Sequence, residues 1–213
     1  MALITALRVG YRGSKRRSIF LDGQEWRTTS NLVVRMLGLT EGDEVDESSL
    51  KTDIDAAETP AARERALRLL GYREHGSVEL HGKLLDDGYP PEIATSVVSA
   101  LTRVGLVDDD RYAAVLARTL IDGRRYGRGR ARREMLRRGL TDEKVDAALD
   151  SCCPESGEYE RVLELARKYA RPDLDTRRLA ARLARRGYPV GMCFDAARHA
   201  LETTDEWSSD DLS

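Results

Sequence analysis

The sequence predicts a mainly α-helical protein: tandem three-helix units form an elongated, curved array, behind a small N-terminal domain that contains a short β-strand pair. Three observations predict this fold. Charged residues make up 34% of the chain and aromatic residues only 6%, a balance typical of exposed helices. A helical pattern that ends in glycine recurs at nearly constant spacing along the chain. The start of the chain has instead the β-branched composition of strands.

Residues 1–60 are predicted to form the N-terminal domain. Ile4–Val9 and Ser18–Trp26 are short segments rich in β-branched or aromatic residues. Asp22 and Gly23 form an Asp-Gly turn signal, which is typical of a hairpin. The sequence therefore predicts a small pair of strands.

Two helices are expected to complete this domain. Ser30 is a suitable N-cap for a helix over residues 31–37, because its hydroxyl oxygen can accept a hydrogen bond from a free backbone N–H group. A second helix is expected over residues 50–58. Proline interrupts helices, so Pro60 is expected to close the domain.

Three segments further along the chain end in the same helix-glycine turn, at Gly88, Gly139 and Gly187. The glycines are 51 and 48 residues apart, and alignment on them brings apolar positions eight residues earlier and ten residues later into register: Leu80, Ala131, Leu179, Val98, Leu149 and Ala197. Glycine suits such a turn because it enters the left-handed region without steric cost. The predicted boundaries are 61–107 for repeat 1, 108–153 for repeat 2 and 154–201 for repeat 3, followed by an acidic flexible tail, 202–213.

The sequence shows no residue pattern that predicts catalysis. His75, His81 and His199 lack a matched cluster of carboxylates or cysteines. The acids Asp108–Asp110 precede a new helix at Arg111, so capping explains them better than a metal does. The three cysteines have neither a disulfide framework nor zinc spacing. We therefore expect no enzymatic activity, no cofactor and no metal.

No segment reaches the roughly 18–20 apolar residues that a membrane span needs, and the start of the chain lacks the apolar segment of a signal peptide. A cytoplasmic protein without a membrane partner is expected.

The net charge of −2 hides a strong division within the chain. Residues 111–200 hold 21 Lys or Arg against 13 Asp or Glu, whereas the rest of the chain holds 14 against 24. Positive charge therefore gathers in repeats 2 and 3, which favours an anionic partner for that region.

The segment 124–138 holds eight arginines and one acid. If Ala131 and Met135 face the core, Arg130, Arg133 and Arg137 fall on the outer face of their helix. Arginine contacts phosphates or carboxylates with two hydrogen bonds. The predicted partner-binding residues are Arg124, Arg125, Tyr126, Arg128, Arg130, Arg132, Arg133, Arg137, Arg138, Arg177, Arg178, Arg182, Arg185 and Arg186.

A solvated helix face is the ordinary explanation of such a charge run, and the repeats provide a comparison. The pair before the turn glycine is Asp86-Asp87 in repeat 1, Arg137-Arg138 in repeat 2 and Arg185-Arg186 in repeat 3. The three-helix fold therefore accepts either negative or positive charge at these positions. The positive charge of repeats 2 and 3 is therefore predicted to serve binding rather than packing.

Several motifs in order resemble the RecX family, regulatory proteins of the RecA recombinase. They are Tyr72–Leu80 with Lys83-Leu84, Gly105–Asp109 before Arg111-Tyr112-Ala113, Gly127-Arg128-Gly129-Arg130, and Leu136-Arg137-Arg138-Gly139. The resemblance spans 61–201, and Ile19–Gly23 is similar to the extra N-terminal domain of some relatives. It implies a protein without enzymatic activity that lodges in the helical groove of the RecA filament on DNA and restrains strand exchange, ATP hydrolysis or filament growth.

The resemblance favours inhibition of RecA, although the sequence leaves stabilisation open. The expected partners are the RecA filament and single-stranded DNA, with double-stranded DNA as a further candidate, and a monomer is expected. The alternative is a helical DNA-binding protein that acts independently of RecA, since glycine-turned helices with arginines also suit a helix-turn-helix reader. The helices after the turn glycines are largely apolar or acidic, which speaks against it.

Overall fold

The computed structural model describes residues 1–10, 15–171 and 173–210. The chain folds into two compact units, an N-terminal unit of Met1–Asp108 and a C-terminal unit that begins at Asp109.

The N-terminal unit begins with an antiparallel sheet in the order β3-β2-β1-β4. Its strands are β1 (Ala2–Val9), β2 (Arg16–Leu21), β3 (Gln24–Ser30) and β4 (Glu44–Val45). The predicted strand pair is thus part of a four-stranded sheet. Ser18–Trp26 is a hairpin and not one strand: Asp22 and Gly23 both have positive φ, 49° and 84°, as its two-residue turn requires.

The helices of this unit are α1 (Asn31–Met36), α2 (Glu47–Tyr72), α3 (Ser77–Asp86) and α4 (Pro91–Arg103). Ser30 caps α1 as predicted, since its hydroxyl accepts a hydrogen bond from the Val33 N–H at 3.2 Å. Helix α2 does not stop before Pro60 but runs through it to Tyr72. Pro60 lies on the exposed side of α2, and the buried residues before and after it, including Ile54 and Ala66, hold the helix together by tertiary packing.

The buried carboxylate of Glu58 joins the sheet to α2. It accepts a hydrogen bond from Thr29 Oγ1 at 3.0 Å and pairs with Arg27 Nη2 at 3.2 Å. Arg16, at the start of β2, donates to the carbonyl oxygens of Leu85 at 2.6 Å and Asp86 at 3.3 Å. These contacts tie the sheet to repeat 1.

The C-terminal unit contains repeats 2 and 3. Repeat 2 consists of α5 (Asp109–Arg118), a π-helical turn (Thr119–Gly123), α6 (Arg128–Arg137) and α7 (Asp142–Cys152). Repeat 3 consists of α8 (Glu158–Tyr169), α9 (Thr176–Ala184) and α10 (Val190–Asp210). The two repeats have separate apolar cores. The six apolar positions aligned on the turn glycines are all buried. Gly88, Gly139 and Gly187 have φ of 98°, 83° and 95°, which confirms the predicted left-handed turns.

The expected acidic tail begins at residue 202, but the backbone of α10 is helical to Asp210. Residues 211–213 lie outside the described part of the chain, and the mobility of the tail stays a prediction. None of the helices in the described ranges is long and apolar enough to cross a membrane.

Candidate partner-binding surface

Helix α6 carries the arginine-rich segment, and its N-terminus lies against repeat 3. The Gly127 N–H donates to the Arg186 carbonyl at 2.9 Å, and the Arg128 N–H donates to the buried carboxylate of Glu158 at 2.8 Å. A Cβ on Gly127 would lie 2.6 Å from the backbone of Gly187. The two backbone segments can therefore approach this closely only because glycine has no side chain. The glycines of the Gly-Arg-Gly motif therefore let α6 dock on repeat 3.

Two of the predicted binding arginines point towards α7 instead of outward. Arg128 forms an ion pair with Asp150 and donates to the Cys153 carbonyl at 3.0 Å. Arg132 Nε lies 2.9 Å from Asp146, and this hydrogen bond lowers the pKa of the Asp146 carboxyl. Both arginines therefore hold α6 to α7, and their contact with a partner stays a prediction.

Arg130 also departs from the predicted outer face. Its guanidinium lies 4.1 Å from the centre of the Tyr126 ring, and its Nη1 donates to the Arg185 carbonyl at 2.6 Å. A cation at the end of a helix satisfies carbonyl groups that have no partner within the helix. Arg130 therefore ties α6 to the C-terminal end of α9, as Arg16 ties the sheet to the end of α3.

The remaining arginines of α6 and α9 lie at the surface. Arg133 is exposed, and Arg137 is 74% exposed in its side chain although it pairs with Glu134. The exposed arginines of repeat 3 are Arg177, Arg178, Arg182 and Arg185. Arg178 lies 3.6 Å from Asp175, and Arg182 lies 3.8 Å from the centre of the Tyr169 ring. Because Arg130 joins α6 to the end of α9, the exposed cations of repeats 2 and 3 belong to neighbouring helices.

The pair before each turn glycine has one exposed and one inward member. Asp86, Arg137 and Arg185 are exposed. Their neighbours are held: Asp87 by Arg65, Arg138 by Glu134 at 3.2 Å, and Arg186 by the Arg124 carbonyl at 2.9 Å. The charge is therefore free to vary only at the first position of each pair, and the second position is a packing position with its own partner.

Arg124, Arg125, Tyr126 and Arg186 come together around a cleft between repeats 2 and 3. The cleft also brings in residues of α8 that sequence reasoning missed: Arg161, Glu164, Lys168 and Tyr169. Arg161, Glu164 and Lys168 are spaced i, i+3 and i+7, which places them on one face of a helix, and that spacing is the signal that could have identified them. Among the described residues, no group of three or more His, Cys, Asp or Glu side chains is arranged to hold a metal ion.

These features define a class, a protein of tandem three-helix domains with cationic surfaces on its later repeats. Residues 62–101 match the RecX first three-helix domain, and residues 108–149 match the RecX second three-helix domain. The chain is 34% identical to the regulatory protein RecX of Mycolicibacterium smegmatis over 173 residues, which are 72% of this chain and 89% of that protein. The chain belongs to the RecX family.

A further curated relative is also named regulatory protein RecX, and two solved RecX structures share the fold. A regulatory protein RecX of Xanthomonas axonopodis pv. citri is 39% identical over 143 residues, 65% of this chain and 87% of that protein. A crystal structure of a regulatory protein RecX covers 93% of this chain and 100% of its own, with a TM-score of 0.58 and 25% identity. RecX from Lactobacillus salivarius, at 18% identity and a TM-score of 0.58, shares the fold.

Proposed function

We propose that this protein regulates the RecA recombinase as an inhibitor: it binds in the groove of the RecA filament on DNA and restrains strand exchange, ATP hydrolysis and filament growth. Membership of a family of regulatory proteins supports the regulatory role. The inhibitory action and the filament groove come from the resemblance to RecX. Such a protein works in the cytoplasm in homologous recombination, DNA repair and the SOS response.

The observation that carries the proposal is the set of exposed arginines on α6 and α9. Arg133, Arg137, Arg177 and Arg185 are exposed, and within the described ranges none of their side chains has an ion pair or hydrogen bond with another helix; Arg137 pairs with Glu134 of its own helix. At the first position of the pair before the turn glycine, repeat 1 has an exposed acid, Asp86. The positive charge of repeats 2 and 3 is therefore surplus to the packing of a three-helix repeat, and an anionic partner accounts for it.

Arg128, Arg130 and Arg132 support this surface by joining helices, and Arg138 pairs with Glu134 at the end of α6. Their direct contact with a partner stays a prediction, but their ion pairs and carbonyl contacts already use much of their hydrogen-bonding capacity. The binding energy is expected to come mainly from the exposed arginines. Each exposed ion pair contributes about 0–1 kcal/mol, so affinity depends on their number and falls as salt increases.

A titration of RecA ATP hydrolysis on single-stranded DNA tests the proposal. Wild type is expected to inhibit hydrolysis, and Arg133→Glu combined with Arg137→Glu is expected to inhibit less. A matched control is Lys51→Glu combined with Arg63→Glu, two exposed cations of α2, which changes the net charge equally. Loss of inhibition in the control as well would contradict a specific role for repeat 2.

Binding to duplex DNA without RecA is measured alongside. A protein that acts independently of RecA would bind the duplex tightly and leave RecA hydrolysis unchanged at concentrations below those that saturate the DNA. That result would replace the proposed function with the DNA-binding alternative.

A further inference from the structure

The cleft between repeats 2 and 3 is large enough for a small ligand. Its volume is about 480 Å³, within the roughly 300–1,000 Å³ that small-ligand sites occupy. It lies within the C-terminal unit, between the segment after the π-helical turn and helix α8. Five basic side chains line it: Arg124, Arg125, Arg161, Lys168 and Arg186. Among the described residues that line it, Glu164 is the one acid.

Arg186 is held in place without losing its charge. Its Nη1 donates to the Arg124 carbonyl at 2.9 Å, and its Nη2 donates to the Tyr169 hydroxyl at 3.0 Å. Both acceptors are neutral, so they orient the guanidinium and leave its positive charge for a ligand. Arginine has five N–H donors in a fixed plane, so further donors stay available for phosphate oxygens.

The neighbouring cations are neutralised only slightly. Arg161 Nη2 donates to the Pro154 carbonyl at 3.1 Å, again a neutral acceptor. Arg125 Nη1 lies 3.8 Å from Glu164, and both side chains are more than half exposed, so this pair is weak. The walls of the cleft therefore carry a surplus of positive charge.

The backbone at the rim of the cleft is unusual as well. Arg125 has a φ of 53°, in the left-handed region that non-glycine residues seldom adopt. It follows a π-helical turn, a feature found often at functional sites. The N–H groups on either side hold this conformation: Arg124 donates to the Thr119 carbonyl and Tyr126 to the Leu120 carbonyl, both at 3.0 Å.

Two tyrosine rings also line the cleft, Tyr126 and Tyr169. Arg130 packs over the first ring at 4.1 Å from its centre and Arg182 over the second at 3.8 Å. These cation–π contacts restrict the rings. Each ring also packs partly against the apolar core of its own repeat, so a nucleobase stacks on the part of a ring that lines the cleft.

We propose that this cleft binds one nucleotide unit, with the phosphate on Arg186 between Arg161 and Lys168 and the base against a tyrosine ring. The phosphate can belong to a single strand of nucleic acid or to a free nucleotide, since both present the same chemistry. Glu164 repels the phosphate and so limits affinity. The assignment is independent of the proposed regulation of RecA, because the cleft is complete within the C-terminal unit and is tested without RecA.

The test is fluorescence anisotropy with the full chain and a labelled oligothymidylate of about ten nucleotides, a length in the range of single-strand binding sites. Arg124→Gln combined with Lys168→Gln is expected to weaken binding about tenfold, and Glu164→Gln to tighten it about two- to threefold. Arg167→Gln, which removes one positive charge, is the control for a change of charge outside the cleft, because Arg167 is exposed on α8 beside Lys168 but does not line the cleft. It should change the affinity less than about twofold.

The gain in affinity is the sharper result, because misfolding does not produce it. If Glu164→Gln and the double variant both behave like Arg167→Gln, or if the wild type does not bind the strand, the assignment is overturned. Competition separates the sources of the phosphate: thymidine monophosphate should displace the strand at a comparable concentration of phosphate groups if a free nucleotide is the occupant, and only in large excess if a single strand is. Equal displacement by thymidine monophosphate and by deoxyribose 5-phosphate, which carries the same phosphate charge without a base, would overturn the stacking role of the tyrosines.

Discussion

Gly127 and Gly187 lie in direct backbone contact, so the N-terminus of α6 in repeat 2 rests on the turn that follows α9 in repeat 3. A Cβ on Gly127 would lie 2.6 Å from the carbonyl carbon and oxygen of Gly187. The Gly127 N–H also donates to the Arg186 carbonyl. This contact positions both Arg130 and Arg186, and with them the surface of α6 and the cleft.

We predict that Gly127→Ala destabilises the C-terminal unit by about 1–3 kcal/mol, because the methyl group forces the two backbones apart. Gly191→Ala is the control, since a Cβ there meets nothing within 4 Å and the residue lies in the first turn of α10. The measurement is urea unfolding followed by circular dichroism. Equal stability of Gly127→Ala and wild type would show that the two turns move apart freely.

Glu58 is predicted to anchor the sheet to α2. Glu58→Ala leaves Arg27 and the buried Thr29 hydroxyl without this carboxylate, so we expect a loss of about 3 kcal/mol in the stability of the N-terminal unit. Asp53→Ala, at an exposed site on the same helix, should change the stability by less than about 0.5 kcal/mol. Trp26 fluorescence during urea unfolding, measured in a Trp207→Phe background because the chain has two tryptophans, reports on this unit, and a loss below about 1 kcal/mol for Glu58→Ala would contradict the anchoring role.

The carboxyl group of Glu58 is also predicted to make the stability of the protein depend on pH. Burial raises the pKa of Glu58, so the folded state holds this proton more firmly than the unfolded state does. The contribution of Glu58 to stability is therefore fully present below its unfolded pKa and decreases as the pH rises through the raised folded pKa. Compared with Glu58→Gln, which does not titrate, wild type should gain stability as the pH falls from neutral through the raised folded pKa of Glu58 towards its unfolded pKa. A stability difference that is constant with pH would refute the raised pKa.

The cysteines are predicted to react slowly in the folded protein. Burial raises the pKa of Cys193 to about 11 and also raises the pKa of Cys153, so little thiolate forms near neutral pH. Cys152 is only half-buried and should be alkylated first. Mass spectrometry after timed iodoacetamide treatment measures the order, and rapid labelling of Cys193 in the native protein would be inconsistent with its burial.

The repeats could be predicted from sequence because the signals that define them, a turn glycine and a helical period of buried residues, lie close together along the chain. A turn glycine such as Gly139 needs a left-handed backbone, and the helices around it bury residues at a helical period, so Ala131 and Leu149 indicate the core directly. The end of α2 could not be predicted in this way. Pro60 disfavours a helix locally, and only the packing of residues on the buried face of α2 overrides that preference.

The directions of the arginine side chains were predicted less well, because the direction of a side chain depends on contacts with distant parts of the chain. Arg130 is drawn to the Arg185 carbonyl, 55 positions away, and Arg128 to Asp150. The cleft was missed for the same reason. The spacing of Glu164 and Lys168 indicates a common face of α8, but Lys168 and Arg124 become neighbours only when repeats 2 and 3 pack together, and no periodicity within either repeat indicates that packing.

The central claim is that the exposed arginines of α6 bind the RecA filament. Sedimentation with preformed RecA filaments on single-stranded DNA tests this claim most directly. Wild type should sediment with the filaments and be released as salt increases. Arg133→Glu combined with Arg137→Glu should bind about tenfold more weakly, while Lys51→Glu combined with Arg63→Glu should bind like wild type. If the α6 variant sediments as wild type does across the whole salt range, this surface does not bind the filament.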